Sequence, residues 1–209
     1  MQPYADALVY IVDDDQSVRE GLAWLLHSRR LLSESFESAD SFIDKIKPDW
    51  RPEQPSCLLL DVRMPGTSGL ALFEILIERK LLHIFPIIFL TGHADIPTAV
   101  NAVKRGAFDF CEKPFSGNAF VDRVQAALQS SDQQIKKSKI IQTFELHCEG
   151  LTERENDVMR LVIDGCSNKV IADQLHISVR TVEVHRSRVF EKMEVRSAVE
   201  LTNAWRAAH

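Results

Sequence analysis

No apolar run in the 209 residues approaches the ~18 positions that a membrane-spanning helix needs. The first such run, Leu8–Val12, begins almost at the N-terminus and reads as a strand, not as a signal peptide. Neither membrane anchoring nor export is therefore expected. Cysteine is scarce: Cys57, Cys111, Cys148 and Cys166 lie far apart, with no C-x-x-C pair and no His at ligand spacing. That excludes a zinc motif and a disulfide framework and leaves packing residues in a reducing cytoplasm. A strong excess of basic charge is also lacking. Residues 1–131 carry 13 Lys and Arg against 18 Asp and Glu, whereas residues 132–209 carry 12 of each, so the acidic excess belongs to the first part alone.

What is present suits a globular protein of more than one domain. The chain is 45% hydrophobic and 26% charged, enough to build cores, and it is longer than a domain of ~100 to 150 residues. In the first part, apolar runs at Leu8–Val12, Cys57–Leu60, Pro86–Leu90 and Phe108–Cys111, with a further strand at Ser33–Phe36, alternate with helical periodicity. The expected helices are Ser17–Ser28, Ala39–Ile46, Gly69–Arg79, Ile96–Arg105 and Gly117–Leu128. This alternation predicts five βα units in a doubly wound parallel sheet. Pro48, Pro52 and Pro55 exclude regular structure before the third strand.

From Gln129 to Lys139 only Ile135 is large and apolar, which marks a linker or a frayed continuation of the last helix. Beyond it the strand pattern stops. Thr152 with Glu155 forms a capping box, and helices are expected at Glu153–Ile163, Asn168–Leu175, Val179–Met193 behind Ser178, and Ser197–Arg206. Only His176, Ile177 and Ser178 separate the second from the third, a helix-turn-helix spacing. The expected divisions are residues 1–128, a linker over 129–145, and an all-helical domain over 146–209.

Polar residues punctuate the strand ends of the first domain: Asp13 and Asp14 after the first, Asp61 after the third, Thr91 after the fourth and Lys113 after the fifth. A lone Asp after a strand is ordinarily a helix cap or a solvated loop carboxylate. Parallel topology, however, carries all five residues to one sheet edge, where open α/β sheets bind ligands. Convergence of Asp13, Asp14 and Asp61 would demand a compensating cation, and an all-oxygen cluster suits Mg²⁺. The chemistry that follows is phosphoryl transfer to Asp61, with Lys113 and Thr91 at the phosphoryl oxygens. A phosphohydrolase with an aspartyl-phosphate intermediate is the rival enzyme reading. It ordinarily has a second Asp two residues after the nucleophile, where this chain has Arg63. A second rival is a DNA-binding protein with a vestigial, phosphorylation-independent first domain.

The segments IVDDDQSVREGL, LLLDVRMPGTSGL, PIIFLTGHADIPTAV and GAFDFCEKPF make residues 5–128 similar to the receiver domain of two-component response regulators, a flavodoxin-like fold. The resemblance implies Asp61 as phosphoacceptor, Asp13, Asp14, Asp61 and the Arg63 carbonyl as Mg²⁺ ligands, and Thr91 with Phe110 as a switch pair. It also implies Lys113 as phosphate partner, joined to Pro114 by a cis peptide bond. Asp15 reads as a loop or supporting residue and His93 as an exposed loop residue with a role in acyl phosphate hydrolysis as the alternative. Residues 150–207 resemble the LuxR-type helix-turn-helix domain, and the whole chain looks like a FixJ-like transcriptional regulator. Val179, Val182, Val189 and Met193 share one helical face, which turns Arg180, Glu183, Arg186, Ser187 and Arg188 outward. The resemblance places Glu183, Val184 and Ser187 toward bases and Lys169, Arg180, Thr181 and Arg188 on the DNA backbone, with Arg186 suited to either. Val170 and Asn156 depart from the family pattern, away from this surface. The implied partners are a histidine kinase, promoter DNA, a second copy of the chain on phosphorylation, and RNA polymerase, with the last helix often dimerising in this family. Turnover of an external substrate is not expected.

Overall fold

The computed structural model describes residues 6–92, 96–114 and 117–209. The chain divides into two compact units, Met1–Ile135 and Lys136–His209.

The first unit is a five-stranded parallel sheet in the order β2-β1-β3-β4-β5, formed by β1 (Leu8–Val12), β2 (Leu32–Phe36), β3 (Ser56–Asp61), β4 (Ile87–Thr91) and β5 (Asp109–Glu112). Period-two alternation gives the sheet two apolar faces. Val9, Ile11, Cys57, Leu59, Ile88 and Leu90 join one core, whereas Tyr10, Val12, Leu58, Leu60, Ile87 and Phe89 join the other. A sheet buried on both sides needs helices on both. Helix α1 (Gln16–Ser28) and α5 (Gly117–Glu149) cover the first face through Leu22, Leu26, Phe120, Val124 and Leu128. Helices α2 (Ala39–Lys45), α3 (Gly69–Glu78) and α4 (Ile96–Lys104) cover the second through Phe42, Leu72, Phe73, Leu76 and Ala102. Strand order reverses between β1 and β3, so their carboxyl ends form the crevice in which such sheets place their chemistry. The proline-rich stretch has no regular structure, yet Trp50 inside it packs edge-on against Phe85 at 5.1 Å between ring centroids.

Residues 129–145, expected as the linker, are helical throughout as part of α5. The reason lies in side chains that composition hides. Ser131 is fully buried because its hydroxyl donates to the Ile84 carbonyl at 2.7 Å and accepts from the Ser56 amide at 3.1 Å. Ile135 is buried as well, whereas Ile141 and Phe144 pack into the core of the second unit.

That second unit continues with α6 (Glu153–Ile163), α7 (Asn168–Leu175), α8 (Val179–Lys192) and α9 (Ala198–Ala208). Side-chain oxygens of Thr152, Ser167, Ser178 and Ser197 cap the four helices, and Thr152 with Glu155 forms the reciprocal capping box. His176, in the left-handed conformation at φ 53°, ends α7 and turns the chain into α8. Val158, Val162, Ile171, Val182, Val189 and Leu201 build the core. Val179, expected on that face, is instead 43% exposed, since it opens α8 where the helix begins to leave the core. Glu155 is buried; beyond the capping box it accepts from the Lys192 ammonium at 2.6 Å, joining α6 to the end of α8. The Lys192 hydrogen bond, and after it the Thr152 amide, lower the Glu155 pKa to about 2 from its ordinary 4.5.

Two expectations follow. A Cβ on Gly69 would stand 1.9 Å from the Asp61 carbonyl oxygen, with backbone on the receiving side, so Gly69→Ala should destabilise the first unit by about 2 kcal/mol or more in denaturant unfolding. Unchanged stability would contradict this close approach. Because the Glu155 pKa falls on folding, its contribution to stability is complete above its unfolded value and is lost as the pH drops toward about 2. Lys192→Met should flatten the acid dependence of second-unit unfolding between those limits, and an unaltered profile would refute the Glu155–Lys192 link.

Candidate functional site

The register of the sheet brings the polar strand ends together. Val12 pairs with Leu60 and Asp61 with Leu90, while Thr91 pairs with Glu112 at the start of the turn that carries Lys113. The Lys113 amide donates to the Thr91 carbonyl at 2.8 Å, and the Lys113–Pro114 bond is cis. From there the ammonium reaches both carboxylates: Lys113 Nζ donates to Asp61 Oδ1 at 2.5 Å and to Asp13 Oδ2 at 2.7 Å. Asp13 is fully buried and Asp61 nearly so. Each has a backbone amide on its other oxygen, Asp15 N on Asp13 Oδ1 at 3.0 Å and Arg63 N on Asp61 Oδ2 at 2.8 Å.

Burial pushes the Asp61 carboxyl above the usual carboxylate range, against the pull of the Lys113 hydrogen bond. Burial by itself would lower the Lys113 pKa, but the hydrogen bonds to Asp13 and Asp61 outweigh it and hold the amine above the ordinary lysine value. The arrangement is a lysine held between two buried acids, one of them raised above the usual carboxylate range by burial.

The remaining expected residues are less tightly grouped. Asp14 is exposed, and among the described residues no three His, Cys, Asp or Glu side chains stand together as a metal-holding group. The convergence expected of three acids is thus present for Asp13 and Asp61. Those two hard carboxylates fit Mg²⁺, which ordinarily takes one or two and completes its shell with water and phosphate oxygen. Thr91 is buried at the tip of β4, with its hydroxyl donating to the Gly92 carbonyl at 2.9 Å. Phe110 is half-buried on the core of the second face. Its carbonyl accepts from Arg123 at 3.0 Å, and Arg123 also pairs with Asp109 at 2.6 Å. Arg63 is exposed, and His93 lies outside the described residues.

Two contributors, Arg19 and Thr67, escaped the sequence reading, and Asp15, read as a loop or supporting residue, has a defined role. Asp15 is the N-cap of α1, accepting from Ser17 N at 2.8 Å and Val18 N at 3.4 Å. Arg19, one turn into that helix, donates to the carbonyls of Asp13 at 2.7 Å and Asp14 at 3.0 Å, so it holds the backbone of the acid run. Thr67 donates to Asp40 at 2.8 Å and ties the loop after Asp61 to α2. An Arg five residues after an acid pair at a helix start was the available signal for Arg19; the Thr67 contact spans 27 residues and left none.

In the second unit, Lys169, Arg180, Glu183, Ser187 and Arg188 are exposed, and Val184 is 45% exposed. Thr181 is half-buried with its hydroxyl 2.8 Å from that of Ser178. Arg186 differs from the others: it is half-buried, donates to Asn168 Oδ1 at 2.8 Å and lies over the Phe190 ring at 5.5 Å. These contacts brace α8 against α7. Among the described residues no helix is long and apolar enough to cross a membrane.

Comparison with known proteins agrees with both halves. Residues 9–125 match the response regulator receiver domain, and residues 149–204 match the bacterial regulatory proteins of the luxR family. The chain is 40% identical over 193 residues to the C4-dicarboxylate transport transcriptional regulatory protein DctR of Rhodobacter capsulatus, covering 92% of this chain and 96% of that one. It is 42% identical over 193 residues to the transcriptional regulatory protein FixJ of Azorhizobium caulinodans, covering 92% and 89%. Among solved structures, the response regulator StyR superposes with a TM-score of 0.82 at 40% identity, covering 96% of this chain and 98% of that one. With a receiver sheet carrying the acid–lysine site and a helix-turn-helix behind it, the chain belongs to the two-component response regulators that join a receiver domain to a LuxR-type DNA-binding domain.

Proposed function

We propose that Asp61 is the phosphoacceptor of this regulator, charged by a partner histidine kinase, and that its phosphorylation controls promoter binding by the second unit. The observation that carries this is the Lys113 ammonium held on the carboxylates of Asp61 and Asp13 at the carboxyl edge of the sheet. An Asp61 oxygen attacks the phosphorus of a phosphohistidine; the new P–O bond forms as the P–N bond breaks, and its electron pair leaves with the imidazole. Lys113, already positioned, follows the negative charge onto the phosphoryl oxygens. The Asp13 and Asp61 carboxylates, with Asp14 and the Arg63 carbonyl as further ligands, would hold Mg²⁺, which would supply the charge neutralisation that lets an anionic carboxylate meet an anionic phosphoryl group.

Phosphorylation adds close to two negative charges beside a buried threonine. Thr91 then exchanges its bond to the Gly92 carbonyl for a phosphoryl oxygen, which vacates space for the half-buried Phe110 to turn inward. The surface of α4 and β5 changes with it and becomes the face on which two receivers pair. The working division is a receiver over 1–128, a connecting segment over 129–145 and the DNA-binding domain over 146–209. Two copies present two α8 helices to half-sites about one DNA turn apart. On α8, Glu183, Val184 and Ser187 face bases, whereas Lys169, Arg180, Thr181 and Arg188 hold phosphates; Arg186 contributes through its brace. RNA polymerase is the downstream partner, and the cytoplasm, where kinase and promoter meet, is the site of action.

The test is intact mass and oligomeric state of wild type and Asp61→Asn, with Mg²⁺ and a small-molecule phosphodonor. Wild type should gain one phosphoryl mass and shift toward dimer, while Asp61→Asn folds normally and gains neither. A phosphoryl group acquired equally by the variant would overturn the assignment.

A further inference from the structure

Strand β1 ends at Val12, and the acid run that follows it is held by other means. The Asp13 amide still donates to the Phe36 carbonyl of β2 at 3.3 Å, but the carbonyls of Asp13 and Asp14 lie outside the strand ladders and need another donor. Helical side chains lean toward the helix start, so Arg19, one turn into α1, reaches back to them. Its Nη1 donates to the Asp13 carbonyl at 2.7 Å and to the Asp14 carbonyl at 3.0 Å. A cation this near a helix start opposes the positive end of the helix dipole, and the first turn of α1 holds no acid to offset it. Helix stability therefore does not account for Arg19; its two carbonyl partners do.

Those two carbonyls belong to the peptide planes that meet at the Asp14 Cα. One donor on both fixes the rotations between the planes, and with them the direction in which the Asp14 side chain leaves the backbone. The other acids of the run are held by their own carboxylates: Asp13 by Lys113 and the Asp15 amide, Asp15 by the amides of Ser17 and Val18. Asp14 is different. Its carboxylate is exposed and accepts no hydrogen bond among the described residues, so its direction depends on the backbone that Arg19 holds. The charge of the guanidinium works the other way, since a cation beside the acid run repels a second cation. Geometry and electrostatics thus predict opposite signs for the loss of Arg19.

We propose that Arg19 is a positioning residue for Mg²⁺: by pinning the carbonyls on either side of the Asp14 Cα, it sets the direction of the Asp14 carboxylate and so the affinity of the site for the metal. This rests on the Mg²⁺ reading above and adds a residue that touches neither the metal nor the phosphoryl group. The gain from a fixed ligand outweighs the repulsion between the guanidinium and Mg²⁺.

Calorimetric titration with Mg²⁺ would compare the full-length wild type with Arg19→Met, Arg19→Lys, Asp14→Asn and the Arg19→Met, Asp14→Asn double variant, each checked for folding by denaturant unfolding. Arg19→Met should bind Mg²⁺ about 10-fold more weakly than wild type, as is usual when a residue that orients a metal ligand is lost, even though a repelling charge is gone. Arg19→Lys keeps the charge and a single flexible donor; it should fall between the two, and it carries the comparison if the Met variant does not fold. In the Asp14→Asn background, Arg19→Met should cost nothing further, because its effect passes through that carboxylate. At saturating Mg²⁺, the rate at which Arg19→Met gains a phosphoryl group from a small-molecule donor should return to that of wild type, which damage to the fold would not allow. Affinity at or above wild type in a folded Arg19 variant, or a penalty of equal size with and without the Asp14 carboxylate, would overturn the role of Arg19 and leave the Mg²⁺ reading standing. Failure of wild type to bind Mg²⁺ would instead overturn that reading itself.

Discussion

The first unit is organised around one lysine bonded to two buried acids. Taking Asp13 and Asp61 out of water is costly unless a cation meets them, and Lys113 is that cation in the ground state. Its placement depends on the parallel register that aligns β1, β3, β4 and β5, on the Thr91 carbonyl that holds its amide, and on Gly69, whose lack of a side chain lets α3 start against the Asp61 backbone. Arg19 secures the acid run from the other side. A pair of charges this dependent on its partner is poised to respond to a third, since any group that draws Lys113 away or adds negative charge to Asp61 changes what the surrounding backbone must satisfy.

The second unit applies the same economy to a surface. Helix α8 is fixed by interactions that engage Arg186 and Lys192, while Arg180 and Arg188 stand exposed. Glu155 serves twice, closing the capping box of α6 and anchoring the far end of α8. The consequence is a helix held at its middle and at its far end.

Much of this was legible in the sequence because the physics was periodic. Both-face burial produces unbroken apolar runs, and each functional strand end announces itself as the first polar residue after such a run, as at Asp13, Asp61 and Thr91. Capping chemistry is equally local, so Thr152, Glu155 and Ser178 could be placed. What escaped depended on distant partners. Ser131 reads as a solvated linker residue until the Ile84 carbonyl and Ser56 amide that bury it are known; the continuation of α5, open in the sequence as the alternative to a linker, is anchored by these bonds. Arg186 and Arg180 both read from the sequence as outward cations of one helix; only the distant Asn168 marks Arg186 as a brace. Val179 has the right spacing for the core but sits at the helix start, beyond where the core reaches.

The central claim is that charge at Asp61 controls the second unit. The most direct measurement is the affinity of the full-length chain for a duplex it selects, with Mg²⁺, in the presence and absence of beryllofluoride. The account predicts binding at least about 10-fold tighter with beryllofluoride, within the ordinary range of coupling between two sites. Equal affinity in both conditions, at one salt concentration and with the duplex still bound specifically, would contradict it.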